Sequence, residues 1–248
     1  MIKRDAMRAT LARMMLVCLL AAFCVVVRPA ASAELAQSPV IHHDLVVTLD
    51  PASHRIRVRD RIRVPGALVA APFTISLNAD LNLQAVSGGL KLLPIRSRAQ
   101  RSGSGVDRDD HDFASRVPVN VYDVEGAMPG RELTGELSYE GVIDYAVQQS
   151  GGEYARAFSQ SPGLIEPRGV FLAGSTLWVP RVGNVLMTYT LAVELPAGWK
   201  SVSQGERTSS ETLPSPASGQ GQGGGAQERW SVATPTEEVH LIAAPFTE

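Results

Sequence analysis

Cysteine and aromatic residues are scarce: two cysteines and 6% aromatics in 248 residues. Both cysteines, Cys18 and Cys24, lie ahead of Ala33. Everything downstream therefore has no disulfide, no thiol nucleophile and no cysteine-based metal site. Long hydrophobic runs are missing too. The longest, "MMLVCLLAAFCVVV" from Met14 to Val27, falls short of the roughly 20 apolar residues that a spanning helix requires. Neither sign of charge dominates, with 23 basic and 25 acidic residues. No His-Glu-x-x-His zinc motif, Gly-x-Ser-x-Gly elbow or P-loop occurs. No catalytic residue and no metal ligand is therefore assigned in this chain.

The apolar run has a different use. Lys3, Arg4, Arg8 and Arg13 precede it, and the small residues Ala31 to Ala33 follow. A basic segment, a short apolar segment and a small-x-small site make a secretory signal peptide, with cleavage expected after Ala33. The expected organisation is a signal peptide over 1–33 and one β-domain over 34–248. That domain would be exported, periplasmic or extracellular, and membrane contact would arise only if the leader stayed uncleaved. Cleavage removes five of the 23 basic residues and one of the 25 acidic ones, taking the formal charge from −2 to −6. Such a balance argues against nucleic acid as a partner.

The mature segment is written in period two. In "RIRVRDRIRV", Arg55 to Val64, the residues Ile56, Val58, Ile62 and Val64 alternate with arginines, as in a strand with one buried and one wet face. Asp60 falls on the apolar face, which predicts a bulge or an edge position there. Leu45, Val47 and Leu49 alternate upstream, and "DPAS", Asp50 to Ser53, is a turn sequence; together they predict a β-hairpin. The same alternation recurs at Phe73, Ile75 and Leu77, at Leu133, Leu137 and Tyr139, and at Met187, Tyr189, Leu191, Val193 and Leu195. "RWSVA" and "EVHLIA" supply the last strands. Absence of any long 3.6-period stripe makes the fold all-β, an antiparallel β-sandwich or a saddle-like sheet.

Three stretches break the alternation: Ser97–Phe113, Gln148–Arg168 and Thr208–Gln227. The first is expected to be a polar loop, the second irregular, and the third, 208–227, a flexible loop within a hairpin. Asp107, Asp109, Asp110 and Asp112 with His111 suggest calcium, but counting from Asp107 an EF-hand needs Gly and Glu where Asp112 and Pro118 stand. Gly219, Gly221 and Gly224 satisfy a dinucleotide pattern but follow a Ser/Pro-rich run rather than a strand. His42, His43, His54 and His240 share no metal-binding spacing. Adjacent His42 and His43 should face opposite sides of a strand and be structural. The substrate-binding residues remain unknown at this level.

From Gly169 to Thr208 the sequence resembles a recurring segment of the zinc aminopeptidases related to aminopeptidase N, peptidase family M1. The parts are Trp178 and Pro180, then Leu195-Pro196-Ala197-Gly198-Trp199, then Val202-Ser203-Gln204-Gly205. "RWSVATPTEEVHLIAAPFTE" is similar to the strand region that closes that family's N-terminal domain, and "HHDLVVTLDPASHRIRVRDRI" to its first hairpin. The resemblance implies an N-terminal β-domain of a metallopeptidase whose zinc ligands and general base belong to a catalytic domain absent from this sequence. It implies no cofactor in this chain, no activity alone, and a separate metallopeptidase catalytic domain as partner. The family holds a substrate's free amine with Gln/Glu groups at positions that fall here near Val170 and Leu172, both apolar; Glu166 is the nearest carboxylate. The alternative is a stand-alone exported β-domain serving as a binding or scaffold module. The last strand is apolar on both sides, which predicts a hydrophobic patch around the C-terminus and the Gln148–Arg168 segment.

Overall fold

The computed structural model describes residues 39–246, apart from 70–72, 89, 101–116, 151–157 and 213–225. The expected signal peptide thus lies outside the described residues, and Pro39–Glu248 forms a unit of its own. Strands follow one another as β1 (Ile41–Asp50), β2 (Arg55–Val64), β3 (Thr74–Asn78), β4 (Leu81–Ser87), β5 (Lys91–Gln100), β6 (Pro118–Glu125), β7 (Leu133–Val142) and β8 (Gln148–Ser150). Then come β9 (Phe158–Gln160), β10 (Gly163–Glu166), β11 (Gly169–Leu172), β12 (Met187–Leu195), β13 (Lys200–Ser203), β14 (Glu206–Thr212), β15 (Ala226–Thr236) and β16 (Leu241–Ala244). No α-helix occurs among the described residues, so the chain is all-β.

The β1–β2 hairpin forms as its alternation predicts. A 3-10 turn at Pro51–Ser53 reverses the chain, with Ser53 Oγ donating to Asp50 Oδ2 at 2.5 Å and His54 in the left-handed region at φ 57°. Ile41, Leu45, Val47 and Leu49 meet Ile56, Val58, Ile62 and Val64 on the buried face, and Arg57, Arg59, Arg61 and Arg63 stay exposed. Removing each such aliphatic side chain from water contributes about 1.5–3 kcal/mol.

A seven-stranded sheet is ordered β14-β15-β12-β1-β2-β7-β4, a four-stranded sheet β10-β11-β16-β13, and a three-stranded sheet β3-β6-β5; β8 and β9 pair alone. One buried cluster draws side chains from all three larger sheets, among them Tyr189 and Leu137, Ile75 and Val124, and Ile165 and Leu241. All pairings are antiparallel except β1 with β12, which run parallel from Ile41↔Met187 to Thr48↔Glu194. The antiparallel expectation needs that amendment. Period-two patterning fixes faces, not the direction of a partner far away in sequence.

Other corrections are local. Asp60 sits neither at a bulge nor at an edge: β2 is flanked by β1 and β7, and both registers run through Asp60 unbroken. The Gln148–Arg168 stretch, expected to be irregular, contributes β8, β9 and β10. Of the loop expected over 208–227, Thr208–Thr212 belongs to β14 and Ala226–Gln227 to β15, paired as far as Thr212↔Ala226; the remainder lies outside the described residues. Likewise β5 extends to Gln100, into the expected polar loop.

Candidate functional site

Asp107, Asp109, Asp110, His111 and Asp112, and the glycines Gly219, Gly221 and Gly224, lie outside the described residues. The remaining histidines are dispersed. His42, on the outward face of β1, contacts Thr188 Oγ1 at 2.9 Å and Asp44 Oδ1 at 3.2 Å. Burial alone would raise the Asp44 carboxyl; a hydrogen bond from Thr190 and the neighbouring His42 outweigh it and hold it below its ordinary value. His43 points the other way, into the core, as adjacent strand residues must. His54 Nδ1 stands 3.7 Å from Asp144, and His240 Nε2 3.6 Å from Glu238. Among the described residues no three His, Cys, Asp or Glu side chains converge as a metal-binding group.

An open polar cleft of about 410 Å³ is lined by Arg55, Asp80, Asn82, Asp144 and Tyr145. Several of its polar groups already have partners. Tyr145 donates to Asp80 Oδ2 at 2.8 Å and accepts from Asn78 Nδ2 at 2.9 Å, while Arg55 faces Glu140. These contacts fasten the segment after β7 to the β3–β4 turn.

The four-stranded sheet has the more distinctive surface. Its inward face carries Ile165, Val170, Leu172, Leu241 and Ala243, all 2% exposed or less. Val170 and Leu172 therefore point into the core, away from any ligand on the outer side. Phe171 between them points out, as does Glu166, where Arg168 donates to Oε2 at 3.2 Å. On the outward face the register lines up Leu164↔Phe171, Phe171↔Ile242 and Ile242↔Val202. Phe171 is 36% exposed, Ile242 40% and Val202 49%. The last strand, expected to leave a hydrophobic patch near the C-terminus, divides by face. Leu241 and Ala243 are covered, whereas Ile242 and Phe246 are exposed.

Two polar devices hold this sheet in place. Glu228 on β15 is fully buried, and its Oε2 accepts from the backbone N–H and the hydroxyl of Ser201 on β13, at 2.6 and 2.7 Å. Trp230 Nε1 donates to the same Ser201 hydroxyl at 3.0 Å. Lys200 and Arg207 approach the other carboxylate oxygen at 3.8 and 3.6 Å. A carboxylate thus stitches the small sheet to the large one. The second device is the turn after β13. Gln204 Oε1 accepts from Tyr189 Oη at 2.7 Å and from the His240 N–H at 2.8 Å, and its amide donates to the Glu238 carbonyl at 3.1 Å. Gly205 beside it has φ +82°, and a Cβ there would meet the Ser231 carbonyl at 2.2 Å, so the turn admits only glycine. Of the residues that carry the resemblance, Gln204 and Gly205 are joints of the fold, and Trp178 is fully buried with Nε1 donating to the Val239 carbonyl at 3.0 Å.

Glu228 escapes a reading of strands alone. Its signal is parity: it shares the buried register of β15 with Trp230 and Val232, and a carboxylate there requires buried donors.

No family model matches the sequence, and no curated protein matches it. Solved structures do match in fold. The M1 zinc metallopeptidase from Deinococcus radiodurans is 15% identical with a TM-score of 0.51. A mutant of that enzyme bound to a Tyr-Ser-Ala substrate gives 15% and 0.51, and a two-domain M1 zinc metallopeptidase mutant bound to L-tryptophan gives 14% and 0.52. In each case 83% of this chain is covered but only 42% of the other. The chain spans less than half the length of the enzymes it matches, and what it shares with them is the architecture of a β-domain.

Proposed function

We propose that this chain is the non-catalytic β-domain of an M1-type zinc metallopeptidase and works with a catalytic domain outside the sequence given. The assembly would release N-terminal residues from peptides, and the chain would be exported after cleavage behind Ala33. One observation carries the reading. The all-β chain matches a two-domain M1 zinc metallopeptidase in fold over 83% of its own length and 42% of that chain, with a TM-score of 0.52. The order of the Trp178–Pro180, Leu195–Trp199 and Val202–Gly205 motifs supports it independently of the fold. Zinc and the general base belong to the partner, where the metal would polarise the peptide carbonyl and activate water. Glu166, which accepts a hydrogen bond from Arg168 on the outward face of the four-stranded sheet, is the carboxylate nearest the positions at which the family would hold a peptide amine, and those positions are the apolar Val170 and Leu172.

The test uses residues 34–248, assayed for zinc content and for hydrolysis of aminoacyl substrates. It is repeated with the His-Glu-x-x-His polypeptide encoded nearest to this chain in its own genome. The expected result is no stoichiometric zinc and no hydrolysis alone, with activity of the partner increased on mixing. One tightly held zinc per chain, or hydrolysis by the chain alone, would overturn the proposal.

A further inference from the structure

We propose that the cleft between the start of β2, the end of β7 and the start of β4 binds a short peptide with both ends free, its ammonium on Asp80 and Asp144 and its carboxylate on Arg55. The cleft is built wholly from this chain, so its occupancy does not depend on the partner domain proposed above. Its volume of about 410 Å³ lies within the range usual for small-ligand sites. Its walls belong to paired strands. Arg55 opposes Val142 across β2 and β7, and Leu81 opposes Gly141 across β4 and β7. Asp80, which precedes Leu81, therefore stands on the far side of Val142 from Arg55. Two strand spacings put the opposite walls about 10 Å apart. Val142, 43% exposed, lines the cleft as an apolar floor between the two charges.

The anionic wall is held from beneath. Asn78 is fully buried; its Oδ1 accepts from the Asp80 N–H at 2.8 Å, and its amide donates to the Tyr145 hydroxyl at 2.9 Å. Tyr145 donates in turn to Asp80 Oδ2. A buried amide thus fixes a carboxylate at the cleft, so that the binding group is in place before a ligand arrives. Asp144 adds a second carboxylate, 58% exposed, and His54 comes no nearer to it than 3.7 Å. On the opposite wall Glu140 is taken by Arg57 Nε at 2.7 Å, whereas Arg55 approaches it only to 3.7 Å. The Arg55 guanidinium therefore keeps donors in the fork that matches a carboxylate. Opposite signs on opposite walls select a zwitterion over an ion of either sign. A dipeptide, about 7 Å between its ends, suits the span, and a free amino acid is about half as long. A metal ion is disfavoured, because a guanidinium faces the two carboxylates.

The experiment titrates the nitrogen-15-labelled mature chain with L-alanyl-L-alanine and follows its backbone amide shifts. Saturable shifts are expected at Arg55, Leu81, Val142 and Asp144. Acetylating the dipeptide's amine or amidating its carboxylate should weaken binding at least tenfold, and L-alanine, too short to reach both walls, should bind at least tenfold more weakly. These ligands test the assignment on the unaltered chain. Asp144→Asn and Arg55→Gln should each cost a similar factor, whereas Glu136→Gln, two positions from Glu140 on β7 and outside the cleft lining, should bind within twofold of wild type. All three side chains reach solvent, and unchanged melting temperatures confirm intact folding. Absence of saturable shifts with the dipeptide would overturn the proposal. Equal binding of a capped dipeptide or of L-alanine would overturn the two-wall assignment, and displacement of the dipeptide by calcium chloride would give the cleft to a cation instead.

Discussion

His43 Nδ1 and Asp60 Oδ2 lie 2.9 Å apart inside the core, with both residues fully buried. The two stand on neighbouring strands, and β2 carries Asp60 there without a bulge. Removing one member of such a pair leaves the other buried without a partner, which costs about 3–5 kcal/mol. Asp60→Ala should therefore lower stability by about 3 kcal/mol or more in urea titrations. Replacing both residues with leucine should recover much of the loss, because no orphaned polar group remains. A double variant as unstable as the single one would show that the pair does more than satisfy itself.

Tyr139 presents the opposite case. Its side chain is fully buried and its hydroxyl has no hydrogen-bond partner among the described residues. Tyr139→Phe removes a polar atom that gains nothing from burial. Stability should hold or rise by about 1 kcal/mol, read from the denaturation midpoint. A loss of that size would mean that the hydroxyl is hydrogen-bonded, with a buried water as the natural partner.

The tyrosines also predict alkaline behaviour. Burial raises the Tyr139 phenol well above its ordinary value, with the Asp60 charge adding to the effect. Burial raises Tyr189 as well, against the opposing hydrogen bonds of Ser203 and Gln204. Tyr145 is raised by burial and then by its bond to Asp80. In each case the folded state holds its proton more tightly than the unfolded chain. This stabilisation is complete below about pH 10, the unfolded value, and is lost as pH rises beyond it. Thermal unfolding should shift to lower temperature above pH 10, and ultraviolet titration should show phenolate from these residues only on unfolding. Reversible ionisation of all tyrosines near pH 10 in the folded protein would contradict this.

Gln204 joins three segments through one amide. Gln204→Ala leaves the Tyr189 hydroxyl, the His240 N–H and the Glu238 carbonyl without that partner. These groups are partly buried, so a loss of about 2–3 kcal/mol is expected. Gly205→Ala should cost a similar amount through strain at φ +82° and the close Ser231 carbonyl. Hydrogen exchange should show the loosening confined to β13, β14 and the approach to β16. Uniform loosening would argue against a local joint.

Much of this architecture is legible in the residues. The Arg55–Val64 alternation, the Asp50–Ser53 turn and the Met187–Leu195 strand read out directly, because period two reports which face is wet. What alternation leaves unread is who pairs with whom. Asp60 and Glu228 stand out as charges in buried register, yet their donors lie 17 and 27 residues away on other strands. Gln148–Arg168 reads as irregular because its strands are three or four residues long, too short to establish a period. The outward row of the four-stranded sheet is scattered through the sequence as Leu164, Phe171, Val202 and Ile242. Only the register brings these residues together. The motifs of Val202–Gly205 point to a family before they point to a role, and the role of Gln204 emerges only from its three contacts.

The parallel pairing of β1 with β12 also sets an order of events in time. β1 acquires β2 at once through a short turn, but its other edge waits for a strand 146 residues further along. Closing so long a loop is slow compared with hairpin formation. Until Met187–Leu195 arrives, the strand destined for the centre of the large sheet is an open edge, lined inward by Leu45 and Val47, that other chains can extend. Any polypeptide ending before β12 therefore carries its most adhesive element fully made and unprotected, and would be expected in the aggregate rather than in solution.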